Sequence, residues 1–323
     1  MNAAPIRGFL ETLRGNQVFF DPLHGNHGDR LLRMAARSML EDTAITLAAD
    51  PQSSDFILLN GGGSMADGWF GLERLAQYSR EFPSHPLAVM PSSFYLTHSR
   101  LADITRARKA PMWLWAREQP SLGILQGAGL GKQVTIGLDH DLAFSLDRHP
   151  LIRELRHTPA RDVVLIVERD DWEGVTGRRR PFSVSGLDFI PERVRTAIRK
   201  TLFGPLRKRQ DQTSQFGSAA LRFVNQGKPQ SPHLVPLIAD ISLSETCNFE
   251  GFLQSVARAS VIITTRLHVA ILGHLLNRRT YLVTGGYHKF RGVYDYSMRQ
   301  GSTGLLVWNG RELEQQEINL EGL

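Results

Sequence analysis

Short apolar runs recur along this chain, and each stops at a polar or glycine-containing turn that most often leads into residues of helical spacing. Val18-Phe19-Phe20 ends in Asp21 and a Gly25-Asn26-His27-Gly28-Asp29 turn, after which Leu31, Leu32, Ala35, Ala36, Met39 and Leu40 repeat at helical intervals. Phe56–Leu59 runs into Asn60-Gly61-Gly62-Gly63-Ser64, and Leu87–Met90 into Pro91-Ser92-Ser93-Phe94-Tyr95. Met112–Ala116 runs into Arg117-Glu118, with Ser121 opening the next helix, and Val134–Leu138 into Asp139-His140-Asp141. Val163–Val167, Val261–Ile263 and Tyr281–Val283 continue the series. Apolar runs of this length alternating with helices predict parallel α/β sheets. Ala44–Leu47 and Leu234–Leu237 read as further strands, and Leu72–Tyr78 and Cys247–Ala257 as helices. The tail reads as a strand at Leu305–Val307 and then a helix at Arg311–Glu314. A length of 323 residues fits two domains of about 150 residues each. Residues 146–160 read as a connector, which places the domains at 1–150 and 151–323.

The strand ends carry the functional signal. Val261–Ile263 is followed by Thr264-Thr265-Arg266-Leu267-His268, which puts a guanidinium and an imidazole at the carboxyl end of a strand and the start of a helix. Ligands of open α/β sheets bind at such ends, and helix N-termini attract anions. The next strand leads to Gly285-Gly286-Tyr287-His288-Lys289. Arg266, His268, His288 and Lys289 together predict a site for a small, multiply charged anion. Taken singly, Arg266 has an ordinary alternative role as partner of a carboxylate, and His268 as a satisfied first-turn histidine. Asp29 sits where a helix N-cap is expected. Gly61-Gly62-Gly63 permits a close backbone approach but is neither a Walker loop nor a dinucleotide fingerprint.

Composition narrows the classes. Hydrophobic residues make up 41% and charged residues 22%, which is ordinary for a globular protein. No apolar run reaches transmembrane length, and the first residues lack a signal-peptide core, so a cytoplasmic protein is expected. Cys247 is the single cysteine, so neither an intrachain disulfide nor a cysteine metal site is expected. No metal-ligand spacing such as His-Glu-x-x-His occurs. The net charge of +6 points to an anionic partner. Residues 178–228 hold twelve Arg and Lys against three acidic residues, a formal +9, and read in part as a loop. Few aromatics accompany that charge, which argues against nucleic acid; a solvated loop is its ordinary role, and docking of an anionic acceptor or peripheral contact with an anionic membrane are the functional alternatives.

Five segments in order resemble the polysaccharide pyruvyl transferases, which move pyruvate from phosphoenolpyruvate onto a sugar as a ketal. They are residues 25–29, Leu59–Ser64, Trp115–Glu118 with Ser121, Arg169-Asp170-Asp171 with Glu173, and Thr265–His268 with Tyr287–Lys289. Ser92 and Tyr95 depart from the glutamine and histidine expected there. The resemblance implies two Rossmann-like domains facing a cleft, as in GT-B-like proteins, with Arg266, His268 and Arg169 as catalytic residues. Phosphoenolpyruvate is then donor substrate and no cofactor is expected. The chemistry of that donor suits these side chains, because Arg forks match both carboxylate and phosphate. On this reading Lys289 and His288 contact the donor, and His268 moves protons. Asn26, Asp29 and Gly61, Gly62 and Gly63 hold the sugar acceptor, for which a lipid-linked diphosphate oligosaccharide is one form. Arg117 and Ser93, in matched or neighbouring strand ends, complete the substrate-binding set. Two other readings stand beside it: a GT-B-type glycosyltransferase using a nucleotide sugar, and a non-catalytic binder of nucleic acid or other anions.

Overall fold

The structure is a computed structural model, and it describes residues 3–96, 100–106, 108–169, 214–226, 234–285 and 288–316. These fall into two compact units. The first comprises residues up to 25, 29–146 and 295–297; the second comprises 26–28, 147–294 and 298 onward.

The first unit is a sheet in the order β2-β1-β3-β5-β6-β7, with β4 paired to β5 and every pairing parallel. Its strands are β1 (Gln17–Asp21), β2 (Thr46–Leu47), β3 (Phe56–Leu59), β4 (Gly62–Ala66), β5 (Leu87–Tyr95), β6 (Met112–Ala116) and β7 (Val134–Leu138). All four residues of β3 are buried, as expected for a central parallel strand covered on both faces. Helix α2 (His27–Asp42) buries Leu31, Leu32, Ala35, Ala36, Met39 and Leu40, the stripe seen in the sequence. Helices α3 (Phe70–Glu81), α4 (Arg100–Arg106) and α5 (Gln119–Gly127) follow their strands as the alternation predicts. A helix α1 (Ile6–Thr12) precedes them, and Phe9 packs on Phe56, Trp113 and Trp115.

The second unit is a sheet in the order β13-β12-β11-β10-β8-β9. Its strands are β8 (Arg161–Val167), β9 (Val235–Ile238), β10 (Ala259–Thr264), β11 (Arg279–Thr284), β12 (Thr303–Trp308) and β13 (Leu313–Gln315). All pairs are parallel except β12 with β13. The helices are α6 (Pro150–Arg156), α7 (Gln215–Gln226), α8 (Phe249–Arg258), α9 (Leu267–Leu275) and α10 (His288–Val293). Helix α9 is buried almost all round, through Leu267, Val269, Ala270, Ile271, Leu272 and Leu275. Each unit is thus a Rossmann-like α/β layer built on a parallel sheet, and the two in series form the fold class of GT-B-like chains.

Several local readings change. The tail does not form a helix at Arg311–Glu314. It turns back as β13, with Asn309 Oδ1 accepting from the Arg311 and Glu312 amides. The connector at 146–160 contains α6, started by Pro150 and by His149 accepting from the Leu151 amide. Gly62 and Gly63 lie in β4 rather than in a loop. Strand β5 passes through Pro91 to Tyr95, and its register against β6 shifts between Val89 and Ser92, where a bulge accommodates the missing proline donor. Residues 215–226 of the basic span form α7, with Phe216, Ala219 and Ala220 buried. Most of that span, together with Asp170, Asp171, Glu173 and Tyr287, lies outside the described residues. Among the described residues no helix is long and apolar enough to cross a membrane.

Candidate functional site

In the second unit, β10 lies between β8 and β11 and delivers Thr264-Thr265-Arg266 at its carboxyl end. The two threonines shape that end. Thr264 Oγ1 accepts from the Arg266 amide at 2.9 Å, and Arg266 becomes the residue capping α9. The Thr265 amide donates to the Val167 carbonyl, and Thr265 Oγ1 accepts from the Arg169 amide at 2.7 Å. The ends of β8 and β10 are therefore tied together, with Arg169 and Arg266 on adjacent strand ends. Both arginines are buried.

The Arg266 guanidinium meets Asp240, just past β9. Nε lies 3.2 Å from each carboxylate oxygen, and an Nη donates to Oδ2 at 2.5 Å. Their side chains are 7% and 8% exposed, so a buried charge is matched by a buried countercharge. The carboxylate partner read from the sequence as one ordinary role for Arg266 is thus present, and it is Asp240.

His268 stands in the first turn of α9 and is half-buried. Gly28, also in the second unit, presses against it. A methyl group on Gly28 would lie 2.5 Å from His268 Nδ1 and 2.8 Å from its Cβ. The turn carrying Gly28 is anchored by its neighbours. The His27 amide donates to the Ser242 carbonyl at 2.9 Å, and His27 Nε2 donates to the Cys247 carbonyl at 2.8 Å. The His27 ring packs on Phe249 and Phe252. Asn26 Oδ1 accepts from the Gly28 amide at 2.7 Å, so Asn26 takes the capping role that the sequence assigned to Asp29. The Cys247 thiol is pushed up by burial and by the nearby Asp240 carboxylate, which keeps it in its neutral form. Lys289 is buried on α10, with its Nζ 5.2 Å from the Phe290 ring centre, and His288 opens the same helix.

In the first unit, Asp29 lies in the first turn of α2, where a carboxylate favours the helix dipole. A methyl group on Gly25 would press against the Asp29 carboxyl carbon, so the carboxylate would have to shift to make room, and one on Gly62 would lie 3.9 Å from Asp29 Oδ1. Gly61 likewise abuts the Pro91 carbonyl. Asp29, Gly61 and Gly62 therefore gather in one place. Gly63 follows in β4 and is half-buried.

Arg117 and Ser93 occupy a different setting. Arg117 Nε donates to Ser93 Oγ at 2.8 Å, and its Nη1 meets Asp141 at 2.6 Å. Ser93 Oγ donates to Glu118 at 2.9 Å, and Glu118 also meets the Ser121 hydroxyl. Arg117, Glu118 and Asp141 are at most 1% exposed. These groups lock the ends of β5, β6 and β7 to one another, so Arg117 and Ser93 lie within a buried framework. Among the described residues no cluster of three or more His, Cys, Asp or Glu is arranged to hold a metal ion.

A fission yeast protein, pyruvyl transferase 1 of Schizosaccharomyces pombe (strain 972 / ATCC 24843), is 28% identical over 176 residues, 47% of this chain and 43% of that protein. The match thus spans less than half the length of that relative. A crystal structure of a functionally uncharacterised protein from Klebsiella pneumoniae subsp. pneumoniae NTUH-K2044 superposes with a TM-score of 0.56 at 18% identity. It covers 93% of this chain and 95% of its own, and it shows a shared fold. The profile of the polysaccharide pyruvyl transferases matches residues 16–287, and the chain belongs to that family.

Proposed function

We propose that this protein is an enzyme that transfers pyruvate from phosphoenolpyruvate to a sugar of a surface polysaccharide or its lipid-linked precursor, forming a cyclic ketal. The observation that carries the reading is the placement of Arg169, Arg266 and His268 on the ends of the adjacent strands β8 and β10 and the start of α9. Phosphoenolpyruvate presents a carboxylate and a phosphate close together, and two guanidinium forks suit that pair.

In the reaction a sugar hydroxyl adds to C2 of the enol and gives up its proton, while C3 takes up a proton to become a methyl group. The C2–O bond to phosphate then breaks and inorganic phosphate leaves with the bonding electron pair. A neighbouring sugar hydroxyl attacks C2, loses its proton and closes the ketal. His268 is assigned to proton transfer, the step for which imidazole is suited near neutral pH. Arg266, Arg169 and Lys289 stabilise the carboxylate and departing phosphate, with His288 beside them, at about 3 kcal/mol per well-placed donor. Asn26, Asp29 and the Gly61–Gly63 segment are assigned to the acceptor. Arg117 and Ser93 support the strand ends from inside.

Incubating the protein with phosphoenolpyruvate and short polysaccharide acceptors tests this. Equal amounts of released phosphate and of product carrying one pyruvate ketal by mass spectrometry are expected. His268→Gln should lower kcat by about 100-fold or more while changing KM for phosphoenolpyruvate little. Turnover of a nucleotide sugar in place of phosphoenolpyruvate would replace this reading with a glycosyltransferase.

A further inference from the structure

We infer that Asp240 is the positioning residue of this site, holding the Arg266 guanidinium in its working orientation; the inference rests on the proposed pyruvyl transfer. The sheet order explains why a residue so far away in sequence is suited to this. Arg266 stands at the end of β10, Asp240 follows the end of β9, and β8 runs between them. The Arg266 side chain therefore reaches past the end of β8 to the carboxylate. Asp240 is itself fixed. The Ala239 amide donates to the Ile166 carbonyl at 3.1 Å, and Asp240 Oδ1 accepts from the Ser242 amide at 3.2 Å.

The pair engages Nε and one Nη of Arg266, so the plane of the fork is set by Asp240 rather than by the flexible arginine stem. The same loop carries the constraint onward. Ser242 and Cys247 hold His27 through their carbonyls, and the adjoining Gly28 forms the wall against His268. Residues 240–247 thus fix both sides of the α9 start within the second unit: the arginine through a carboxylate, the histidine through a glycine wall. Asp240 also offsets the arginine charge, so anion recognition here depends on fork geometry more than on net charge.

The test combines Asp240→Asn, Asp240→Ala, Arg266→Lys and the Asp240→Asn/Arg266→Lys double variant. Misplacing a reacting group by about 1 Å costs about 100-fold in rate, so Asp240→Ala should lower kcat for pyruvyl transfer by about 10- to 100-fold. Asp240→Asn keeps an acceptor oxygen and should fall between Ala and wild type. In the Arg266→Lys background the Asn change should cost little more, because the fork it serves is gone. A substrate-free readout is the Arg266 Nε–H resonance, which should exchange slowly in wild type and rapidly in both Asp240 variants. Folded Asp240 variants with wild-type kcat and KM, or an undiminished loss in the Arg266→Lys background, would overturn the inference. If the wild-type protein transfers no pyruvate, the functional reading falls and the resonance alone decides. Lost protection then supports the Asp240 clamp, and unchanged protection overturns it.

Discussion

Adding one methyl group at Gly28 tests the packing between the start of α2 and His268. Gly28 lies in the first turn of α2, where alanine is the better helix former by up to about 1 kcal/mol. Helix propensity alone therefore expects Gly28→Ala to stabilise the protein. The structure reverses the sign, because the new methyl would lie 2.5, 2.8 and 2.9 Å from Nδ1, Cβ and Cγ of His268. Two of those atoms belong to the root of the side chain, so rotation of the ring does not relieve the contact. Overpacking of this kind costs about 1–3 kcal/mol. Subtracting the propensity term leaves a loss of up to about 2 kcal/mol, or about 4–8 °C in Tm for a unit of this size. Gly8→Ala in α1 and Gly123→Ala in α5 are matched controls. Nothing lies within 4 Å of a methyl group at either position, and neither has the positive φ that favours glycine. Each should gain about 0.4–1 kcal/mol. Scanning calorimetry of the three variants, with the His268 ring resonances followed in Gly28→Ala, gives the answer. A Gly28→Ala protein as stable as the controls, with unmoved His268 signals, would refute the packing argument.

Two further outcomes are expected. His274, bonded through Nδ1 to Thr303 Oγ1, has its pKa lowered mainly by burial. Its contribution is therefore fully present above the unfolded value near 6.5 and is lost as pH falls through the folded value. The drop in Tm between pH 7.5 and pH 5.5 should be smaller in His274→Gln than in wild type, read by calorimetry at both pH values. Asn248 caps α8, with its side-chain oxygen accepting from the Gly251 amide at 2.8 Å, so Asn248→Ala should cost about 1 kcal/mol in urea unfolding without changing the m-value.

The sheets were legible because parallel strands buried on both faces are continuous apolar runs, and Phe56–Leu59 and Val261–Ile263 show this directly. The tail reads as a helix but forms a strand, because Leu313 and its neighbours are too few for a period to show and pairing with β12 outweighs the helix preference of Glu and Leu. Pro91 marked a strand end in the sequence, but the bulge in β5 carries the strand past it. Asp29 offers the same capping chemistry as Asn26 three residues later in the sequence, and only the Gly28 amide decides between them.

Arg266 and Arg117 look alike in the chain. Each follows an apolar run, and each precedes a helix. What separates them is the partner each finds across the sheet. Arg117 meets Asp141 from the adjacent β7 end and, with Ser93 and Glu118, is sealed among side chains that cross-link neighbouring strands. Arg266 reaches past the neighbouring strand end to Asp240, beside the Arg169 backbone that Thr265 holds. Strand order decides both outcomes, and strand order is set by how crossovers pack, which no local spacing records. A strand-end arginine alone therefore does not separate these two settings; the carboxylate it meets and the strand that supplies it do, with Arg117 bracing adjacent strand ends and Arg266 paired with Asp240 across β8.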